Sequence, residues 1–460
     1  MQGVTKYKAV KKYDMLRGYL EHFRQVSINN DTPALLSFFF AQGQAAVPYI
    51  RIPYSNTHLD PRVHVFWIQS SRTGKSIAWE FVGSLLKEAG LRTDSFTTGS
   101  DAGLIGGFEQ DEDGNNTPTE GLLAGRKALN FDEGSIILTN KQHFSEVVLY
   151  LQQACAAVGS NSNILVKHLK PGTIEAESLV SLWITTYPPS GVKEYVLTRG
   201  IFQRVLLFWR HWSMDMRSEV ENIRLDGFFN KPKEDKVSFD DLVQYFKDLD
   251  RDIAKRVCKL AEITPADWET KTRPEQEEVA QSIMHDMFSV EEEVNVALRN
   301  ASEDYFTLVE NMDPSTSEVV ASFIPGLNNY TMIFATHLAL LEGKWHIRAE
   351  HIEMSKEILF DLYQNLIIWL EGEVRVGQDA REKSMSMSIW KEAYEACSMV
   401  GFDDIRGDGW VRKKHLLDGY CKKKGNCSLG TARNHYGKVM GMFKETTSGR
   451  IAFVRLEKGE

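Results

Sequence analysis

The chain has 460 residues, 42% of them hydrophobic and 25% charged, which suits a globular protein of two to four domains. No run of about 18 apolar residues occurs, which argues against a helical membrane span. The net charge is −9, unevenly spread: from Arg406 to Glu460, 13 Lys and Arg stand against 5 Asp and Glu, a net of +8, so the rest carries −17. A basic end on an acidic body points to a polyanionic partner.

Met1-Gln2-Gly3-Val4-Thr5-Lys6 lacks the charged-then-apolar pattern of a secretion signal. Cys155, Cys258, Cys397, Cys421 and Cys427 have spacings that suit neither a zinc site nor a disulfide framework. Both observations predict a cytoplasmic protein.

Residues 1–60 read as a helical segment. Tyr13 to Leu20 carries helical apolar spacing, and the patch Leu35 to Phe40 after Pro33 predicts a helix packed on the next domain. Residues 61–215 read as α/β. Val63 to Ile68 is a buried strand, and Ile77-Ala78-Trp79-Glu80-Phe81-Val82 begins a helix. Between them, Gln69-Ser70-Ser71-Arg72-Thr73-Gly74-Lys75-Ser76 is a P-loop pattern with Gln69 where the first glycine normally stands. In such a loop, backbone N–H groups at a helix N-terminus cradle phosphate, the Lys75 ammonium meets the β/γ-phosphates, and the Ser76 hydroxyl ligates Mg²⁺. Glutamine at the first position requires the loop to start at an ordinary backbone angle.

Farther along, Asp94 to Gly99 is a second strand, Glu109 to Pro118 an acidic surface loop, Ala128 to Phe131 a short strand, and Phe144 to Ala157 a helix. Asp132 and Glu133 follow that short strand. A metal–phosphate site needs one carboxylate near the ion, here Asp132, and one to polarise the attacking water, here Glu133. Leu179 to Thr186 is a buried strand whose tip offers Thr185 or Thr186 to the γ-phosphate or the water. Ile201 to Trp209 is an apolar run preceded by Arg199 and containing Arg204; either arginine could reach across a subunit boundary to the transferring phosphoryl group, Arg204 being the first choice.

Residues 216–385 are polar and helical, with period 3.6 over Asp240–Leu260, Pro274–Leu308, Pro314–Leu341 and His346–Leu370. Gly377 to Ser384 is a polar joint. Residues 386–460 read as three helices and a hairpin, a winged helix-turn-helix: Ile389–Met399, a helix opened by Val411–Leu417, a third capped by Ser428, and two extended runs around Thr447-Ser448-Gly449-Arg450. Its third helix would present Thr431, Arg433, Asn434 and Lys438 to DNA, with Lys422, Lys423 and Lys424 before it and Arg450 at the wing tip.

The order of P-loop, Asp132-Glu133, polar strand tip, arginine, helical region and winged helix resembles the AAA+ ATPases. Gly125 to Glu133, Ser178 to Pro188 and Leu197 to Phe208 look most like ring-forming replicative helicases of the minichromosome-maintenance type and their phage and plasmid relatives. The likeness covers about half of the chain. It implies an α/β P-loop ATPase core (61–215) with a helical N-terminal segment, a helical lid and a C-terminal winged helix. It also implies ATP and Mg²⁺ as cofactors, DNA and other replication proteins as partners, and a ring, a hexamer, in the host cytoplasm if a phage encodes it. Arg348 is the candidate for the lid's sensor arginine. Threonine stands at the strand tip where those helicases usually carry asparagine, and no N-terminal DNA-binding barrel is evident. The RecA-like class is the rival, but it usually separates the catalytic glutamate from the metal-linked aspartate. A nucleotide-switched initiator or helicase loader, and a signalling ATPase without unwinding, are the competing functions.

Overall fold

A computed structural model describes residues 7–96, 101–110, 116–132, 134–139, 145–188, 200–227, 236–310, 312, 314–370, 389–397, 410–423, 427–438, 443–448 and 451–456. The chain divides into two compact units, Met1–Glu371 and Gly372–Glu460. The expected N-terminal segment, α/β core and helical region therefore make one body. The expected joint at Gly377–Ser384 lies outside the described residues.

The first unit is organised by a six-stranded sheet. Its strands are β1 (Val65–Ile68), β2 (Thr93–Phe96), β3 (Gly125–Phe131), β4 (Ile164–Leu169), β5 (Gly172–Thr186) and β6 (Leu206–Trp209). Five run parallel in the order β6-β1-β5-β3-β2, and β4 pairs antiparallel with the first residues of β5. Every residue of β1 and β6 is buried, as an apolar run in a covered parallel sheet requires. Register places Ile68 beside Thr186 and Phe131 beside Ile184, so the C-terminal ends of β1, β5 and β3 come out at one edge.

In three places the chain departs from its sequence pattern. The segment Glu109–Pro118 is not simply a loop: Gly106–Gln110 pairs antiparallel with Asn116–Glu120. Pro118 is tolerated because a two-stranded ribbon leaves one backbone edge free of ladder bonds. The strand ending at Thr186 starts at Gly172, because its first half is a hairpin arm with β4, whose half-exposed alternation carries little apolar signal. The helical stretch 274–308 is broken by Ser289–Val290, which pairs in parallel with His346–Ile347.

The helix Asp31–Ala46 is the centre of this unit rather than an appendage. Residues Pro33 to Ala46 are all buried, as a helix apolar on every side must be. Phe40 meets Trp183 of β5 edge-on at 5.6 Å, and Phe39 packs on Phe334 of the helix Ile324–Leu341 at 4.4 Å between ring centres. Gly43 permits this approach, since a Cβ there would lie 2.5 Å from the Pro61 carbonyl oxygen. Each such aromatic contributes about 1.5–3 kcal/mol by burial. Around this helix stand Asp14–Val26, whose Tyr19 meets Phe38 edge-on at 5.2 Å, and Phe239–Leu260, opened by the Ser238–Asp241 capping box.

The second unit contains a helix over 389–397, the strand Val411–Arg412, the helices Lys413–Lys423 and Leu429–Lys438, and the hairpin Phe443–Ser448/Ile451–Leu456. The strand Val411–Arg412 joins the hairpin to make three strands. Trp390, Tyr420, Tyr436 and Phe443 form its core, with Trp390 stacked on Tyr420 at 3.9 Å. The Thr431 N–H donates to Ser428 Oγ at 3.1 Å, so Ser428 caps the third helix as the sequence predicts.

Candidate phosphate site and basic C-terminal unit

The loop after β1 is anchored before it turns. The Gln69 N–H donates to the Thr186 carbonyl at 3.1 Å, and Trp67 Nε1 donates to Gln69 Oε1 at 2.5 Å. The Gln69 side chain thus points into the core, not toward a ligand, and its backbone is not among those with positive φ. This is how a glutamine can stand in the first loop position. The left-handed angles fall at Arg72 (φ +60°) and Gly74 (φ +90°). A Cβ on Gly74 would lie 2.7 Å from Ser27 Oγ, so glycine supplies both the angle and the room.

The turn between the helices Asp14–Val26 and Asp31–Ala46, with Ser27 and Asn30 buried, holds the loop. Asn30 Nδ2 donates to the Thr73 carbonyl at 2.6 Å, Ser27 Oγ to the Gly74 carbonyl at 3.1 Å, and Thr73 Oγ1 to the Ser70 carbonyl at 2.9 Å. Lys75 begins the helix Lys75–Glu88. Its Nζ donates to the Gln69 and Ser70 carbonyls at 2.6 and 2.8 Å and lies 4.8 Å from the Tyr187 ring centre. Burial pushes the Lys75 ammonium down to about 8, with the Asp132 carboxylate working the other way.

Asp132 lies just beyond β3, and Thr185 Oγ1 donates to its Oδ1 at 2.8 Å. The Gly134 N–H donates to the Thr185 carbonyl at 2.8 Å. Of the two candidate threonines, Thr185 therefore addresses the acidic residue. Thr186 serves through its carbonyl, which anchors Gln69, while its hydroxyl makes only a 3.4 Å contact to the Tyr187 carbonyl. A cavity of about 320 Å³ is lined by Arg72, Thr73, Gly74, Lys75, Ser76 and Asp132, with Thr186, Tyr187 and Arg224. Gln69, Ser70 and Ser71 do not line it. Glu133 lies outside the described residues.

The residues present fit a phosphate chain and a hard cation. A helix N-terminus and an ammonium face one space, and the Ser76 hydroxyl and Asp132 carboxylate border it. Two protein oxygens suffice for Mg²⁺, which keeps waters and takes phosphate oxygens for the rest of its octahedron.

Sequence reasoning missed Arg217 and Arg224. Both lie on the helix Met214–Gly227 that follows β6. Arg217 Nη2 donates to Ser70 Oγ at 2.8 Å, and Arg224 lines the cavity. The available signal was their spacing of seven, two turns on one helix face. The arginines expected to act were placed elsewhere. Arg204 precedes β6, whose first residue pairs with Val65 and whose last pairs with Ile68, so it stands at the sheet end opposite Lys75. It cannot reach its own phosphate site, and its Nη1 donates to the Gly200 carbonyl at 2.8 Å. Arg199 lies outside the described residues. Arg348 pairs with Glu342 at 2.6 Å in the helical region.

In the second unit, Lys422, Lys423, Thr431 and Arg433 are exposed, whereas Ala432 and Tyr436 turn inward. Thr431 is engaged at the helix start, its hydroxyl 2.9 Å from Ser428 Oγ, and Lys423 pairs with Glu392 at 3.4 Å. Asn434 and Lys438 belong to the same helix as Arg433. Lys424 and Arg450 lie outside the described residues. No helix among the described residues is long and apolar enough to cross a membrane. No protein-family model matches the chain, and no curated protein matches it significantly.

Proposed function

We propose that this chain is an ATP-hydrolysing motor that acts on DNA as a ring oligomer, with AAA+ architecture and a C-terminal winged helix. The observation that carries the reading is the convergence of Lys75, Ser76, Asp132 and Thr185 at three strand ends. The Thr185 strand stands between the P-loop strand and the Asp132 strand. In this arrangement Lys75 and the loop N–H groups neutralise the β/γ-phosphates, and Ser76 and Asp132 hold Mg²⁺. Thr185 orients Asp132, and Glu133 polarises the attacking water. Arg217 and Arg224 add positive charge from the same chain. Arg204, remote from its own site, supplies the arginine to a neighbour's.

A subunit-mixing assay tests this. Lys75→Ala and Arg204→Ala proteins should each be inactive alone, and a mixture should recover a fraction of ATPase and strand-unwinding activity, because some interfaces then carry both intact residues. No recovery on mixing would remove Arg204 from a trans role. ATP-independent or absent unwinding by the wild type would count against a motor. The compact basic second unit favours, as a second reading, a nucleotide-switched duplex binder, which sequence-specific duplex binding with slow hydrolysis and no unwinding would select.

Two further results are expected. Bound triphosphate keeps Lys75 protonated, so binding above about pH 8 takes up a proton and affinity should fall as pH rises through that value. Calorimetry in buffers of different ionisation enthalpy measures the uptake; a flat affinity from pH 7 to 9.5 contradicts it. The β4–β5 turn carries exposed Lys170 on an acidic body, and its Gly172 packs on Phe108 of the other hairpin. Lys170→Ala should weaken DNA-stimulated ATPase and lower the salt slope of DNA binding by about 1. An unchanged slope would take this turn out of the DNA path.

A further inference from the structure

Two thiols in the second unit have no part in the chemistry above. Cys421 is in the helix Lys413–Lys423, and Cys427 comes just before the helix Leu429–Lys438. The Cys427 N–H donates to the Cys421 carbonyl at 3.3 Å. The two sulfurs lie 3.3 Å apart, the Cys427 thiol donating to Cys421 Sγ. A disulfide needs about 2.05 Å, so closure asks for a movement of little more than about 1 Å. The two thiols differ in access: Cys421 is buried and Cys427 half-buried. Burial, and then the hydrogen bond from the neighbouring thiol, push the Cys421 thiol up to about 11. The other three cysteines, Cys155, Cys258 and Cys397, are buried.

We propose that Cys421 and Cys427 form a redox-active dithiol, a covalent site for thiol–disulfide exchange with low-molecular-weight disulfides. Cys427, the accessible member, gives its proton to solvent and attacks one sulfur of the disulfide. The Cys427 S–S bond forms, the S–S bond of the small disulfide breaks, and one small thiolate leaves with the electron pair and takes a proton. Cys421 then loses its proton and attacks Cys427 Sγ, expelling the second small thiol. The protein gives up two electrons and two protons, and one disulfide becomes two thiols. The product is a bond that ties the last turn of the helix carrying Lys422 and Lys423 to Cys427, two residues before the helix Leu429–Lys438.

The test uses the full chain in mixtures of reduced and oxidised glutathione, quenched with acid, alkylated and read by mass spectrometry. The expected result is loss of two hydrogens from the intact protein and a cross-linked peptide pair joining Cys421 to Cys427, at least about tenfold more abundant than any other cysteine oxidation product. In Cys421→Ser, one glutathione should remain on Cys427; in Cys427→Ser, Cys421 should stay reduced. Full alkylation of both residues at the oxidising end, or equal oxidation of Cys155, Cys258 or Cys397, would overturn the proposal. The wild-type measurement decides even if a variant does not fold. None of these readouts depends on the DNA reading, so the two can fail separately.

Discussion

Lys75→Ala is expected to abolish ATP hydrolysis by weakening nucleotide binding about 100-fold or more. The Lys75 ammonium is buried at the mouth of the helix Lys75–Glu88, where its donors are spent on two loop carbonyls. A phosphate entering the cavity offers charged acceptors in place of neutral ones, and hydrogen bonds to charged groups contribute about 1.5–3 kcal/mol each. Losing two of them costs at least about 3 kcal/mol, which is about two decades of affinity. Glu133→Gln should separate binding from chemistry: affinity stays, and turnover falls by about 10²–10⁴-fold as the general base is lost. Equilibrium binding of a fluorescent ATP analogue and steady-state phosphate release measure the two effects. Thermal unfolding should accompany them, because Lys75 also ties the loop together. Wild-type affinity in folded Lys75→Ala would defeat the phosphate-site assignment.

Arg62→Ala is expected to destabilise the first unit by about 3–5 kcal/mol, the cost of breaking a buried ion pair from one side. Arg62 is fully buried, and its guanidinium donates to both Asp60 oxygens, at 2.7 and 2.9 Å. It also donates to the carbonyls of Ala154, Ala156, Ser178 and Val180 at 2.6 to 3.1 Å. One side chain thus fastens the end of the helix Ser145–Ala154 to β5. Burial works to raise the Asp60 carboxyl, yet the Arg62 charge and hydrogen bonds together hold it well below the ordinary range. Its folded value lies below the unfolded one of about 3.9, so its stabilisation is present above that pH and is lost as pH falls through the folded value. In Arg62→Ala this buried carboxylate loses its ion-pair partner and keeps the backbone N–H donors of position 62 and Val158, and Asp60→Asn in the same chain should recover part of the loss. Urea unfolding measures both; a cost under about 1 kcal/mol would show that the clamp is dispensable.

The candidate phosphate site was legible in the sequence wherever it is local. Gly74, Lys75 and Ser76 sit between an apolar run and a helical period, and Asp132 ends another apolar run, so short-range pattern placed each at a strand end. The third helix of the second unit was legible for the same reason, since Ser428 is a cap and Thr431, Ala432, Arg433 and Tyr436 alternate as an amphipathic turn must. Arg217 and Arg224 were not legible, because their spacing of seven puts them on one helix face but does not say that tertiary packing carries that face to a loop, 147 residues before Arg217 in the case of Ser70. β4 escaped because its alternating exposed residues, among them Ile164 and Val166, resemble a loop as much as a hairpin arm. Gln69 looked like a ligand-binding position by alignment with the motif, but the neighbouring Trp67 draws its amide inward.

The placement of the helix Asp31–Ala46 bears on how the protein is made. Phe39 leaves the ribosome long before Phe334, the ring it packs against. At about 5–20 residues per second the nascent chain waits on the order of tens of seconds for that partner. Through that interval three consecutive phenylalanines have only the preceding helix, whose Tyr19 meets Phe38, and an unfinished sheet to shelter them, so synthesis of this chain should depend on chaperones that shield apolar segments, and cells short of them should accumulate it as aggregates.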